Sequence, residues 1–204
     1  ARNSGDAELR RAVTRYLDGY SAGYRERFTP EDALADIGRM ERVKASEDTS
    51  ARAYRVEKDG EDRLRVKLYR CGEPVALSGV MPVLENLGLH VLAEAGYPVQ
   101  RHGENGAETV WVHEFEASLN GESASKIDSE AEAFESALLA VLNGQTEDDG
   151  FNKLVLAIGV SRREAAFLRT VARYRQQTGL DPSQAIQEEA LAANPEIARG
   201  LLEL

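Results

Sequence analysis

The chain has 204 residues and 42% hydrophobic content, enough for one large packed domain or two small ones. Its formal net charge of −10 argues against a general attraction to nucleic-acid phosphates or anionic membranes. Cys71 is the only cysteine, which excludes an intrachain disulfide and a thiolate metal cluster, and no apolar run approaches the roughly 20 residues that span a bilayer.

The single cysteine fits a reducing, cytoplasmic compartment, and the opening residues Ala1–Arg10 are polar and mixed in charge, unlike a signal peptide. Ala1 stands where an initiator Met would, and Ile197–Leu204 (IARGLLEL) is an apolar helical pattern with no cap. The expectation is a piece of a longer protein.

Residues Asp6–Phe28 are expected as the first helix, with Leu9, Val13, Tyr16, Leu17, Tyr20 and Tyr24 on one stripe. The tyrosines suit core positions with hydroxyls at the rim better than a ligand box. Thr29-Pro30-Glu31-Asp32 starts a second helix, with Ala33, Leu34, Ile37 and Met40 inward. It should fade in a linker at Ala45–Thr49. A hairpin follows: strand Ala53–Glu57, an Asp59-Gly60 turn, then Leu64, Val66 and Leu68 alternating with Arg63, Arg65 and Lys67. That alternation predicts one buried and one wet face.

Arg70–Pro74 breaks the strand. Ser78 is expected to cap a helix to about Leu87, with Val80, Val83, Leu84 and Leu87 inward and Gly88 as left-handed stop. Leu89–Ala95 is the third strand, Arg101–Ala107 a polar loop and Val110–Phe115 the fourth strand. After a loop at Asn120–Lys126, Asp128 caps a helix to about Leu142, stopped by Asn143-Gly144. The order β-β-α-β-β-α predicts an α+β, ferredoxin-like domain, with two helices on a four-stranded antiparallel sheet. The spatial order should be 50s, 60s, 110s, 90s strand. Beyond Asp149-Gly150 the chain reads as helical: Phe151–Ala157, a helix opened by a Ser161–Glu164 capping box and stopped by Gly179, and starts at Asp181-Pro182 and Asn194-Pro195. The expected division is N-terminal helices 1–48, an α+β domain 49–146 and a helical subdomain 147–204.

Tyr69–Val91 (YRCGEPVALSGVMPVLENLGLHV), Val110–Leu119 (VWVHEFEASL) and Asp149–Gly179 (DGFNKLVLAIGVSRREAAFLRTVARYRQQTG) occur in this order and spacing. Together with Gly23–Ile37 (GYRERFTPEDALADI), they resemble the bacterial NAD-specific glutamate dehydrogenases with very long subunits. The resemblance covers most of the chain and rests on the ordered combination, since no single motif is chemically diagnostic. It implies a segment ahead of the catalytic domain, in a region of ACT-like modules that often bind amino acids. It also implies NAD chemistry elsewhere in the parent polypeptide.

The residues carry no catalytic fingerprint. There is no G-x-G-x-x-G turn, and Gly103/Gly106 and Gly144/Gly150 have the wrong context for one. Lys44, Lys58, Lys67, Lys126 and Lys153 match no glycine-rich substrate motif of the family. No catalytic, cofactor-binding or metal residue is therefore assigned. His90, His102 and His113 lack metal-ligand spacing. Strand alternation sets His113 opposite Glu114 and Glu116 and on Trp111's side, which favours a structural role for both. The best candidate site is the loop Arg70–Ser78, where Gly72 and the amides near Ser78 could receive an effector's carboxylate. The plainer reading is a tight turn and an ordinary cap. Cys71 reads as a small buried or rim residue. Arg162, Arg163, Arg169, Arg173 and Arg175 read as a solvated face paired to Glu130, Glu132 and Glu135 or to the rest of the parent protein. Phosphate or nucleic-acid binding is the lesser alternative.

Three functions compete. The first is a non-catalytic regulatory and assembly segment of an NAD-dependent glutamate dehydrogenase. It would have the same polypeptide's catalytic domain as partner, a homo-oligomeric state and an amino-acid effector. The others are a stand-alone ACT-like sensor and a protein-interaction module.

Overall fold

The computed structural model describes residues 2–44, 48–104, 106–119, 127–179 and 183–203. Most of the expected linker at Ala45–Thr49, the loop Asn120–Lys126 and the Asp181-Pro182 helix start lie outside the described residues.

The helix expected over Asp6–Phe28 is two helices, α1 (Arg2–Thr14) and α2 (Ala22–Arg27). Between them the backbone pairs with residues 99–102: Gln100 N donates to Gly19 O at 2.8 Å, His102 N to Arg15 O at 2.9 Å, and Tyr20 bridges Val99. A Cβ on Gly19 would collide with the Gln100 carbonyl. Satisfying a strand's backbone groups outweighs continuing the helix, and glycine permits the approach. The inward line becomes Ala12 and Tyr16 with Val13 half-buried beside them, while Leu9 and Leu17 are exposed. Tyr16 and Tyr24 are core residues, as expected, but the Tyr24 hydroxyl is buried against Asp36 rather than held at the rim.

Helix α3 (Pro30–Met40) opens on a capping box between Thr29 and Asp32. Ile37 and Met40 are buried, Leu34 is exposed, and Asp36 takes an inward position instead.

Strands β1 (Thr49–Tyr54) and β2 (Arg63–Cys71) are joined by eight residues rather than by a tight Asp-Gly turn. Two successive turns close it, Asp59 N to Val56 O and Arg63 N to Gly60 O, both 2.9 Å. The Asp59 carboxylate accepts from Arg65 Nε at 2.7 Å, which commits it to an ion pair. The expected wet face of β2 is not wet. Arg65 is 4% exposed and Lys67 is fully buried, because β2 is an interior strand whose charged heads find carboxylate partners, Asp59 for Arg65 and the buried Asp36 for Lys67.

Helix α4 (Leu77–Asn86) starts before Ser78 could cap it. Gly79 N and Val80 N both turn back to Ala76 O, so Ser78 sits inside the first turn. Val80, Val83, Leu84 and Leu87 are inward, and Gly88 closes the helix with φ 92°.

The predicted loop Arg101–Ala107 is mostly strand. β3 (His90–Gly103) and β4 (Gly106–Ser118) form a long hairpin pinned by Gln100–Thr109 and Arg101–Glu108 side-chain pairs. The four strands make one antiparallel sheet in the expected order β1-β2-β4-β3.

Helix α5 (Ile127–Leu142) already includes Asp128, which is therefore a first-turn acid rather than the cap. The segment expected as helix at Phe151–Ala157 is a 3-10 turn, Gly150–Lys153, followed by α6 (Leu154–Ile158). The Ser161–Glu164 capping box opens α7 (Arg162–Gln177) as expected. α8 (Gln184–Ala193) and α9 (Pro195–Leu202) follow.

The chain divides into two compact units. One comprises Ala1–Arg52, Lys67–Val75 and Glu94–Phe115; the other Ala53–Val66, Ala76–Ala93 and Glu116–Leu204. The first has a core of Tyr16, Tyr24, Ile37, Met40, Tyr69, Val99, Val110 and Val112. In the second, Leu84, Leu87, Phe134, Leu138, Phe151, Leu154 and Val155 are buried.

Candidate functional site

In the predicted loop, Gly72 has φ 83° and both its backbone groups are used. Its N–H donates to Thr109 O at 2.8 Å, and its carbonyl accepts from Trp111 Nε1 at 3.1 Å. Gly72 belongs to the first unit, and Ser78 stands exposed in the first turn of α4 in the second. Cys71 is buried. Burial and the neighbouring Glu108 push its thiol up, so the protonated form dominates and the residue is a poor nucleophile.

Beside this loop lies His113, 5% exposed, with its ring stacked between Trp111 and Phe115 at 5.9 and 6.5 Å. Nδ1 lies 2.6 Å from Glu94 Oε1, and Nε2 accepts from Val75 N at 3.3 Å. The ring lies apart from Glu114, as the alternation implied. Its carboxylate partner comes from β3, not from Glu114, which instead accepts from Arg27 at 2.9 and 3.0 Å.

A second cluster escaped the sequence reading. Asp36 is fully buried and accepts from Tyr24 Oη at 2.5 Å, Lys67 Nζ at 2.7 Å and Tyr69 Oη at 2.7 Å, with Arg52 at 3.4 Å. Lys67 Nζ also sits 3.6 Å from the Phe28 ring centroid. Burial pulls the Lys67 ammonium down, opposed by Asp36. Burial, followed by Asp36, pushes the Tyr24 phenol up. With so many donors the Asp36 carboxylate is saturated, so this is an internal clamp rather than a reacting group. The one sequence signal for it was an acid on the inward side of α3.

The third feature is a cleft of about 630 Å³ in the first unit, by the end of α1, the end of α3 and the β3–β4 turn. Arg15, Lys44, Arg101 and His102 line it with Glu41, Glu104 and Glu108. Arg101 anchors it from inside. Its guanidinium donates to Met40 O at 3.1 Å, Val43 O at 2.6 Å and Glu108 at 2.5 and 3.0 Å. That contact holds the Glu108 carboxyl below the usual carboxylate range. Arg15 pairs with Glu41, which also accepts from Tyr16 Oη at 2.7 Å. Both signs of charge line an opening of small-ligand size, so the cleft suits a zwitterion better than a simple anion. Among the described residues, no group of three or more His, Cys, Asp or Glu could hold a metal ion.

In the second unit the α7 arginines pair differently from expectation. Arg169 binds Asp149 at 2.5 and 2.8 Å and Asn152 at 3.0 Å, and Arg173 pairs with Glu147 and with Gln184. Glu135, a predicted partner, accepts from Ala53 N instead. The loop before the 3-10 turn brings its carboxylates to α7, which spacing alone could not reveal.

Three family models match the chain in succession. Residues 1–43 match glutamate dehydrogenase helical motif 2, 48–131 the glutamate dehydrogenase ACT3 domain, and 146–204 glutamate dehydrogenase helical motif 3. The chain belongs to the glutamate dehydrogenase family. The NAD-specific glutamate dehydrogenase of Pseudomonas aeruginosa is 35% identical over 202 residues, 99% of this chain. Those of Halomonas elongata and Mycobacterium tuberculosis are 29% and 28% identical over 98% and 93% of it. The chain spans only 12% of the length of each of these relatives, so it corresponds to a small segment of a large glutamate dehydrogenase.

Proposed function

We propose that this segment regulates and assembles an NAD-dependent glutamate dehydrogenase rather than performing its chemistry. The parent reaction would take glutamate, NAD and water to 2-oxoglutarate, ammonia and NADH. The observation that carries this reading is the ordered match to a helical motif, an ACT3 domain and a second helical motif. The functional division proposed with it is helices 1–48, ACT-like domain 49–146 and helical subdomain 147–204. The partner is the catalytic domain of the same polypeptide, where NAD would bind, in a cytoplasmic homo-oligomer. An amino acid is the fitting effector class, with Gly72 and Ser78 as the proposed contacts in the predicted loop. The mixed-charge cleft around Arg101 offers zwitterion chemistry in its own right. A stand-alone sensor is the lesser reading, because the relatives are about eight times longer than this chain.

The test is direct. The isolated chain, incubated with glutamate and NAD, should form no reduced cofactor by absorbance above a contaminant control. Turnover would overturn the non-catalytic reading.

A further inference from the structure

We propose that His113 is a proton-operated latch on the segment joining β2 to α4. This deepens the regulatory reading above and rests on it for its use in the parent enzyme, though not for the latch itself. The Val75 amide can only donate, so its contact with Nε2 requires a lone pair there. The neutral ring must then carry its proton on Nδ1, facing the Glu94 carboxylate at 2.6 Å. Adding a proton to Nε2 sets two donors against each other, and the Val75 tie is lost. The imidazolium meanwhile gains a charge-assisted bond to Glu94. Protonation therefore gives up the Val75 tie while strengthening the one that Nδ1–H already makes to Glu94.

The surroundings keep the ring from evading this exchange. It lies between Trp111 and Phe115 along β4. From β3 it meets the Glu94 carboxylate and the backbone at Gly96, where even a Cβ would come within 3.1 Å of the ring. Glu114, next on β4, turns away to Arg27. From the joining segment it meets the Val75 backbone. That segment is tied at Gly72 by Thr109 and Trp111, and Glu73 and Pro74 are exposed, so the histidine bond holds the far end, where Val75 is buried. By linkage, a ligand or partner that draws Val75 away would promote proton uptake by His113.

Nitrogen-15 NMR of the chain tests this. In mildly alkaline solution the ring should show the Nδ1–H form with Nε2 bare. On acidification, protection of the Val75 amide, corrected for intrinsic exchange, should fall roughly three- to tenfold in step with His113 titration. Glu94→Gln keeps an acceptor for Nδ1–H but removes the charge, so it should move both transitions to lower pH. An Nε2–H ring, Val75 protection indifferent to the histidine, or transitions that Glu94→Gln leaves in place would each overturn the latch. If the variant does not fold, the wild-type coincidence decides alone. A working latch with no effect on the parent enzyme would sink only its regulatory use.

Discussion

A lysine with no exposed surface is tolerable here because Asp36 lies 2.7 Å from its Nζ and the Phe28 ring faces it from another side. Removing one partner of such a pair strands the other charge in a low-dielectric interior, which costs about 3–5 kcal/mol. Asp36→Ala should therefore destabilise the chain by about that much in denaturant unfolding. Asp36→Asn combined with Lys67→Met should lose much less, since neither charge of the fully buried pair is left behind and Arg52 is partly exposed. Equal losses in the two variants would show that the clamp is not electrostatic. The same scale explains Arg101: it turns a strand end that looked like a loop into a buried strut between Glu108 and two main-chain carbonyls.

Helices here start and stop for local reasons except where the sheet claims their backbone. The break between α1 and α2 is such a case, with Gly19 pressed against Gln100. Gly19→Ala must push the strand edge away and should cost roughly 1–3 kcal/mol, with faster exchange at the Gln100 and His102 amides. Gly38 is the internal control. It lies exposed on α3, and a Cβ added there would meet nothing within 4 Å, so Gly38→Ala should stabilise by about 0.5–1 kcal/mol. Unfolding curves of the two variants should shift in opposite directions.

At the scale of the whole molecule, the helical subdomain leaves apolar surface uncovered. α7 buries Ala165, Leu168 and Ala172 but presents Phe167 and Tyr174, 53% and 68% exposed and seven residues apart on one face. Ile186 on α8 and Ile197 on α9 are about half exposed. Burying each large apolar side chain would contribute roughly 1.5–3 kcal/mol, so these helices should pack on a neighbour in the parent protein. Sedimentation of the isolated chain at rising concentration should show self-association, reduced by Phe167→Ser and Tyr174→Ser together. A strictly monomeric chain with these side chains open to solvent would refute it.

Much of the architecture is legible in the sequence itself. The ββαββα order, the strand order, the Thr29 and Ser161 capping boxes and the Gly88 stop follow from signals within a few residues of each other. Such signals act through local backbone geometry, so they survive in the one-dimensional string. Gly72 and Ser78 are candidates on the same local chemistry. What only the tertiary structure decided depends on residues far apart in sequence. Asp36 finds Lys67 across 31 positions, Arg101 reaches Val43 across 58, and His113 takes Glu94 from another strand. Alternation says that β2 has two faces, but only the packing of α3 makes the lysine face dry. The partner of a buried charge is set by burial and strand register together, and neither is written in any short stretch of the chain.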